Sequence, residues 1–68
     1  MFYVQYYLVA PDKKLGRVRS AIVNRSNATF AGFAVKSKYD NFGTQSIILL
    51  VAKASESQLS SRQLEFIP

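Results

Sequence analysis

The 68-residue chain contains no cysteine, no histidine and no tryptophan, and it carries only four acidic side chains. Without cysteine no disulfide can form, and without cysteine or histidine the usual ligands of zinc are missing. The same absences exclude Ser-His and Cys-His nucleophile pairs and acid–base catalysis by imidazole. Neither glycine-rich phosphate-binding motif, G-x-x-x-x-G-K-[ST] or G-x-G-x-x-G, occurs in the sequence. We therefore expect a protein that is not an enzyme and needs no cofactor or metal.

Length and hydrophobicity define one small domain. Hydrophobic residues make up 49% of the chain, enough for a folded core over residues 1–68. A core of this size contributes only ~3–5 kcal/mol, so a bound partner would add usefully to stability. The N-terminal segment lacks the features of a secretory signal, and the longest apolar run, Ile47–Ala52, is far shorter than the ~20 residues of a transmembrane helix. The sequence predicts a cytoplasmic (intracellular) protein without a transmembrane segment.

The charge balance is strongly positive. Nine Lys and Arg residues stand against four Asp and Glu residues, which gives a net charge of +5. Such a balance favours a polyanionic partner, whether nucleic acid, an anionic membrane surface or an acidic protein face. The alternative is that a moderate charge simply keeps a small domain soluble, since the cations are scattered and form no run longer than Lys13-Lys14.

Several segments carry clear secondary-structure signals. Phe2–Ala10 is rich in aromatic and β-branched residues and predicts a strand. One face of this strand is expected in the core and the other half-exposed: Phe2, Val4, Tyr6 and Leu8 against Tyr3, Gln5, Tyr7 and Val9. Ser46–Ala54 is apolar on both faces and predicts the most buried strand. The S-x-x-Q capping box that begins at Ser55 predicts a short helical turn near Ser57–Arg62, and Leu64–Ile67 predicts a last short strand.

The segment Leu15–Asn24 is ambiguous. Its apolar spacing suits a helix, but Gly16 and several β-branched residues favour a strand. If Asn24–Asn27 is a hairpin loop, then Leu15–Val23 pairs with a strand over Ala28–Lys38, and one register separates an apolar face from a basic face. The apolar face contains Val18, Ile22, Phe33 and Val35, and the opposite face contains Arg17, Arg19, Lys36 and Lys38.

These elements predict a mainly β fold: a small antiparallel β-barrel or meander of about five short strands with a short C-terminal helical turn. The alternative is a small α+β fold in which Leu15–Val23 is helical. The most buried residues are expected to be Val18, Ile22, Phe33, Val35, Ile48 and Leu50.

The run Asp12-Lys13-Lys14-Leu15-Gly16-Arg17-Val18, followed by Ile22-Val23, a polar turn and Phe30–Val35, resembles the opening hairpin of the PRC-barrel family. Ile47–Val51 is similar to a later buried strand of that family, so the resemblance covers residues 12–52. It implies a small β-barrel that is not an enzyme and serves as a docking module.

The expected partner-binding surface is the basic face of the second hairpin, Arg17, Arg19, Lys36 and Lys38, with Phe30 beside it. Arginine side chains suit carboxylate or phosphate, and an exposed phenyl ring can anchor a protein or stack on a base. A second aromatic group consists of Tyr3, Tyr7 and Tyr39, residues of a type that is enriched at interfaces.

The sequence therefore predicts a non-enzymatic protein-binding module: a small adaptor, an accessory subunit or a regulator that docks on a larger protein. A nucleic-acid-binding small barrel that contacts phosphates is the alternative, and a structural domain that self-assembles is a third reading. The expected partner is another protein or a second copy of the chain, with RNA or DNA possible and no small-molecule substrate.

Overall fold

Four strands and two helices make up the computed structural model, which describes all residues from 1 to 68. In chain order they are β1 (Phe2–Val9), β2 (Arg19–Val23), α1 (Ala28–Tyr39), β3 (Gln45–Lys53), α2 (Glu56–Ser60) and β4 (Glu65–Ile67). Strand content exceeds helix content, so the prediction of a mainly β chain is confirmed. Neither helix combines the length and the apolar character needed to cross a membrane.

The strands form one sheet in the order β3-β1-β2-β4, with β1 antiparallel to β2 and β3, and β4 parallel to β2. The sheet does not close, because β3 and β4 are both edges. The sheet is therefore open, mixed and four-stranded, so the predicted antiparallel barrel or meander of about five strands is not confirmed. The helical alternative for Leu15–Val23 is wrong, since the segment contains strand β2 and an isolated bridge from Leu15 to Val9.

The segment predicted as a strand over Ala28–Lys38 is the helix α1, and this is the main correction. Asn27 is the helix N-cap: its side-chain oxygen accepts a hydrogen bond from the backbone N–H of Phe30 at 2.9 Å. The polar stretch read as a hairpin loop is thus a helix start, and the proposed pairing of Val18 with Phe33 does not exist. Lys36 and Lys38 in the last turn favour the helix through its dipole.

The core lies between α1 and one face of the sheet, here called the helix face. Its buried residues come from β1, β2, α1 and β4: Val4, Tyr6, Ala21, Val23, Ala31, Ala34, Val35 and Ile67. The prediction that Val35 and Ile22 are buried is confirmed, and the prediction for the inward face of β1 is confirmed by Val4 and Tyr6.

Three predicted core residues are exposed, each for a physical reason. Val18 is 57% exposed because it precedes β2, and Phe33 is 57% exposed because it lies on the outer side of α1. Leu50 is 45% exposed beside a β-bulge, and Ile48 is half-buried. The prediction that the last long strand is the most buried is wrong, because β3 is an edge strand and only Ser46 in it is buried.

The opposite side of the sheet, the open face, carries Tyr3, Gln5, Tyr7 and Val9 of β1, all half-buried as the sequence predicts. Part of it is covered by the crossing from β3 to β4, where Leu59 and Leu64 lie beside Ile22. Helix α2 in this crossing begins with the predicted capping box: Ser55 and Gln58 exchange side-chain and backbone hydrogen bonds.

Candidate basic groove

A polar groove of about 480 Å³ lies at the end of β2 that β4 does not reach. We call it the basic groove and define it by six lining residues: Arg17, Val18, Arg19, Ser20, Gln63 and Glu65. Two of these, Arg17 and Arg19, come from the sequence-predicted site. The groove exists because β4 pairs with β2 only from Ala21 onward, which leaves the beginning of β2 without a neighbour on that side.

A cluster of three donors around one carboxylate lies next to the groove. The Glu65 carboxylate accepts hydrogen bonds from the Tyr6 hydroxyl at 2.5 Å, from the Lys38 ammonium at 2.6 Å and from the Tyr39 hydroxyl. The rings of Tyr6 and Tyr39 stack with their centroids 5.4 Å apart. We call Tyr6, Lys38, Tyr39 and Glu65 the carboxylate cluster; it joins β1, α1 and β4 in one hydrogen-bonded unit.

The environment of the carboxylate cluster shifts the pKa values of Tyr6, Lys38 and Glu65. Burial acts to raise the pKa of Glu65, but the hydrogen bonds from Lys38, Tyr39 and Tyr6 outweigh it and lower the pKa below its ordinary value. The hydrogen bond to Glu65 raises the pKa of Lys38. Burial, followed by the hydrogen bonds to Glu65 and Tyr39, raises the pKa of the Tyr6 hydroxyl. At neutral pH Glu65 is therefore an anion, Lys38 is a cation, and the Tyr6 hydroxyl keeps its proton.

The two groove arginines have no acidic partner. The ion pairs of the protein are Lys36 with Asp40 and Lys38 with Glu65, and neither includes an arginine. The Arg19 guanidinium carbon lies 5.8 Å from the centroid of the Tyr39 ring, and the Lys38 ammonium lies 5.4 Å from the same centroid. Two cations, Arg19 and Lys38, thus lie at Tyr39, and Arg17 lines the same groove as Arg19. Because Lys38 is paired with Glu65, the charges of the two arginines remain unbalanced.

Lys36 does not share this site. Its ammonium lies 3.2 Å from the Asp40 carboxylate and donates to the backbone carbonyl of Ser46 at 2.9 Å, at the beginning of β3. Lys36 and Lys38 would share a face in a strand, but on a helix residues two apart point about 200° away from each other. The prediction that Arg17, Arg19, Lys36 and Lys38 form one strand face is therefore wrong, whereas Arg17 and Arg19 line one groove and Arg19 and Lys38 both lie at the Tyr39 ring.

The aromatic residues of the predicted site separate into two groups. Phe30 is half-exposed on α1, and because it precedes Lys38 by eight residues, the two side chains are about 12 Å apart along the helix axis and about 80° apart around it. Tyr3 and Tyr7 lie on the open face, where the Tyr3 hydroxyl is 2.9 Å from the hydroxyl of Ser20. These two tyrosines therefore lie on the other side of the sheet from the carboxylate cluster.

Sequence reasoning missed Tyr6, Gln63 and Glu65 as site residues. Tyr6 was assigned to the core, which is correct, but its hydroxyl partner lies 59 residues away in the chain. The available signal was weak: Glu65 is the last acidic residue of a basic chain and stands in a predicted strand, where an unpaired charge would be costly.

The geometry suits binding of an oxyanion. Guanidinium groups form paired hydrogen bonds with planar carboxylates and with phosphates, and the groove presents two of them that are free to do so. No cluster of three or more carboxylate, histidine or cysteine side chains occurs in the structure. No family model, curated protein or solved structure matches the chain.

Proposed function

We propose that the protein is a non-enzymatic protein-binding module that docks an acidic segment of a larger partner in the basic groove. The observation that carries this proposal is the unpaired state of Arg17 and Arg19 beside an acid that is already neutralised by Lys38. A structural ion-pair network would have used the nearby carboxylate for the arginines. Here the Glu65 carboxylate already accepts hydrogen bonds from Tyr6, Lys38 and Tyr39. The guanidinium groups of the two arginines can therefore donate to a group of a partner.

The outer side of α1 supports the same proposal. A surface helix on a small domain normally presents polar residues to solvent, yet α1 presents Phe30 and Phe33, which are 50% and 57% exposed. Aromatic side chains at such positions are typical anchors of protein interfaces, and arginines often accompany them.

The placement of the other cations favours a protein over a nucleic acid. Lys36 is committed to Asp40 at the opposite side of α1, and Arg25 donates to the backbone carbonyls of Asn24 and Pro68. A nucleic-acid backbone repeats its charge every few ångströms and is bound by a continuous row of cations. Two of the cations, Arg17 and Arg19, instead line one groove together, and two charges in one place fit a short acidic segment.

A pull-down from cell lysate, with and without nuclease, tests the proposal. The double variant Arg17→Gln/Arg19→Gln removes the two guanidinium groups, and the matched control Lys13→Gln/Lys14→Gln removes the same charge from the exposed turn after β1. We expect one dominant protein band that nuclease does not affect, that the control retains and that the arginine variant loses. A band that survives in the arginine variant contradicts this docking site, and a signal that nuclease abolishes indicates nucleic acid instead.

A further inference from the structure

We propose that the basic groove binds a single phosphate monoester group in its dianionic form, carried on a side chain of the partner protein. This inference rests on the proposed function and adds to it the chemical group that the groove recognises. It is carried by the local charge, by the neutralisation of Glu65 within the protein and by the donors that line the groove.

The local charge matches a dianion. Arg17, Arg19 and Glu65 are the charged residues that line the groove, and Glu65 is neutralised by Lys38, which lies outside the lining. The two positive charges of the arginines are therefore not balanced. A phosphate monoester carries about −1.5 to −2 charges at pH 7 and would balance that surplus, whereas one carboxylate would leave a cation without a partner. The match favours a phosphorylated side chain over a single Asp or Glu of the partner.

The negative charge of Glu65 does not oppose the ligand. One carboxylate oxygen accepts from Tyr6, and the other accepts from Lys38 and Tyr39, so both oxygens have donors within the protein. Because the Lys38 ammonium lies in direct contact with this carboxylate, the pair is close to neutral when seen from the groove. The arginines therefore set the sign of the potential there.

The donors of the groove suit a tetrahedral oxyanion. Arg17 and Arg19 are two residues apart and both line the groove, and Gln63, which carries a side-chain amide, lines it as well. The Arg19 guanidinium lies over the Tyr39 ring, and the Tyr39 hydroxyl is hydrogen-bonded to Glu65. The contact with this ring restricts the positions that the guanidinium can take. A phosphoryl group offers three oxygens to such an arrangement, one more than a carboxylate.

The test uses nuclear magnetic resonance titration of the whole protein with three small probes: phenyl phosphate, phenyl sulfate and benzoate. At pH 7 we expect saturable shifts at the side-chain resonances of Arg17 and Arg19, with phenyl phosphate binding about ten-fold more tightly than the two monoanions. Equal affinity for phenyl phosphate and phenyl sulfate, or no saturable binding of phenyl phosphate, would overturn the inference.

The pH dependence provides a second readout. The second proton of a phosphate monoester has a pKa of about 6, so the preference for phenyl phosphate is expected to disappear by about pH 5. The charged groups that line the groove are Arg17, Arg19 and Glu65, and Lys38 contacts Glu65 from outside the lining. Glu65 and Lys38 keep their charges across this range because their mutual hydrogen bond helps to lower the pKa of Glu65 and raises that of Lys38. A preference that persists unchanged at pH 5 would count against a dianion site.

Variants and phosphatase treatment separate this inference from the proposed function. Arg17→Gln and Arg19→Gln are each expected to weaken phenyl phosphate binding about ten-fold, while Lys13→Gln leaves it unchanged. In the lysate experiment, phosphatase treatment is expected to remove the partner band. A band that survives phosphatase but is lost in the arginine variant overturns the phosphate inference and leaves the protein-binding module standing.

Discussion

Asp40 and Glu65 offer an instructive comparison, because each carboxylate pairs with a lysine of the last turns of α1. Asp40 pairs with Lys36 and accepts both the backbone N–H and the hydroxyl of Ser46, at 2.6 and 2.7 Å. Because Lys36 also binds the Ser46 carbonyl, the beginning of the edge strand β3 has its outward backbone groups satisfied. We call Lys36, Asp40 and Ser46 the Asp40 corner, and its two charges, on Lys36 and Asp40, are paired with each other.

The Glu65 corner, which consists of the carboxylate cluster and the adjoining groove arginines, also contains a lysine–carboxylate pair, but it keeps unpaired positive charge. Its carboxylate is also saturated, by Lys38 and two tyrosines, but two further cations lie beside it without partners. The difference shows that an ion pair between a helix lysine and a carboxylate does not identify a functional site by itself. What distinguishes the Glu65 corner is the surplus of charge that remains after the pair has formed.

The largest expected effect comes from Glu65→Ala. The fully buried Tyr6 and the half-buried Tyr39 would lose the acceptor of their hydroxyl groups, and unsatisfied buried donors are costly. We expect a loss of about 2–3 kcal/mol in the free energy of unfolding, measured by urea denaturation, which is a large part of the total. The control is Glu56→Ala in the first turn of α2, with a loss under about 1 kcal/mol. Equal losses in the two variants would contradict the role given to the cluster.

The next effect is expected from Asp40→Ala. It leaves the buried hydroxyl and the backbone N–H of Ser46 without their acceptor, which is expected to cost about 1–2 kcal/mol. Because the end of an edge strand is then uncovered, we also expect faster aggregation in light-scattering measurements. Asp40→Asn keeps one side-chain oxygen and is the matched control. If Asn destabilises as much as Ala, the charge of Asp40 matters rather than its hydrogen bonds.

Acidification is expected to weaken both corners together. The pKa of Glu65 lies below its ordinary 4.5 and that of Asp40 below its ordinary 3.8 in the folded protein, so the unfolded chain takes up protons first as the pH falls. The stabilisation is complete above these ordinary values and is lost as the pH falls through the lowered ones. Thermal melts followed by circular dichroism from pH 7 to pH 2 measure this loss, and Glu65→Gln should flatten the curve. A melting temperature that does not change down to pH 3 would contradict the ionic description of both corners.

The smallest effect is expected from Lys36→Gln. An exposed i, i+4 ion pair contributes about 0.3–0.5 kcal/mol, and the glutamine amide can still donate to the Ser46 carbonyl. Binding of the partner or of phenyl phosphate should remain unchanged, since Lys36 lies outside the basic groove. A large loss of binding in this variant would mean that the two corners act as one surface.

The parts of the fold that were predicted correctly depend on short-range patterns. The alternation of Val4 and Tyr6 with Tyr3 and Tyr7 assigns β1 and its two faces, because side chains of a strand alternate with a period of two. The capping box at Ser55 needs only four residues to predict the start of α2. The prediction of a strand over Ala28–Lys38 was wrong because asparagine is common both in hairpin loops and at helix N-caps. Asn27 was assigned to a loop, but it caps α1.

The candidate site was predicted only in part for the same reason. Arg17 and Arg19 were assigned to a basic face from a hairpin register that does not exist, but their alternate positions in the chain hold and they do line one groove. Lys36 was grouped with them because Ala28–Lys38 was taken as a strand, and the change from a period of 2 to a period of 3.6 moves Lys36 to the other corner. One error in secondary structure thus changed the membership of the site.

The sequence by itself determined the chemistry that the protein has to offer: no thiol or imidazole, a surplus of cations, and two arginines close together near β2. It also determined the local elements whose signals lie within a few residues, namely β1 and the start of α2. Only the tertiary structure decided which cations remain unpaired, because Glu65 meets Lys38 and Tyr6 across separations of 27 and 59 residues. Such contacts follow from the packing of α1 and β4 around β1 and β2, and no local pattern encodes a hydrogen bond between elements that are adjacent only after folding.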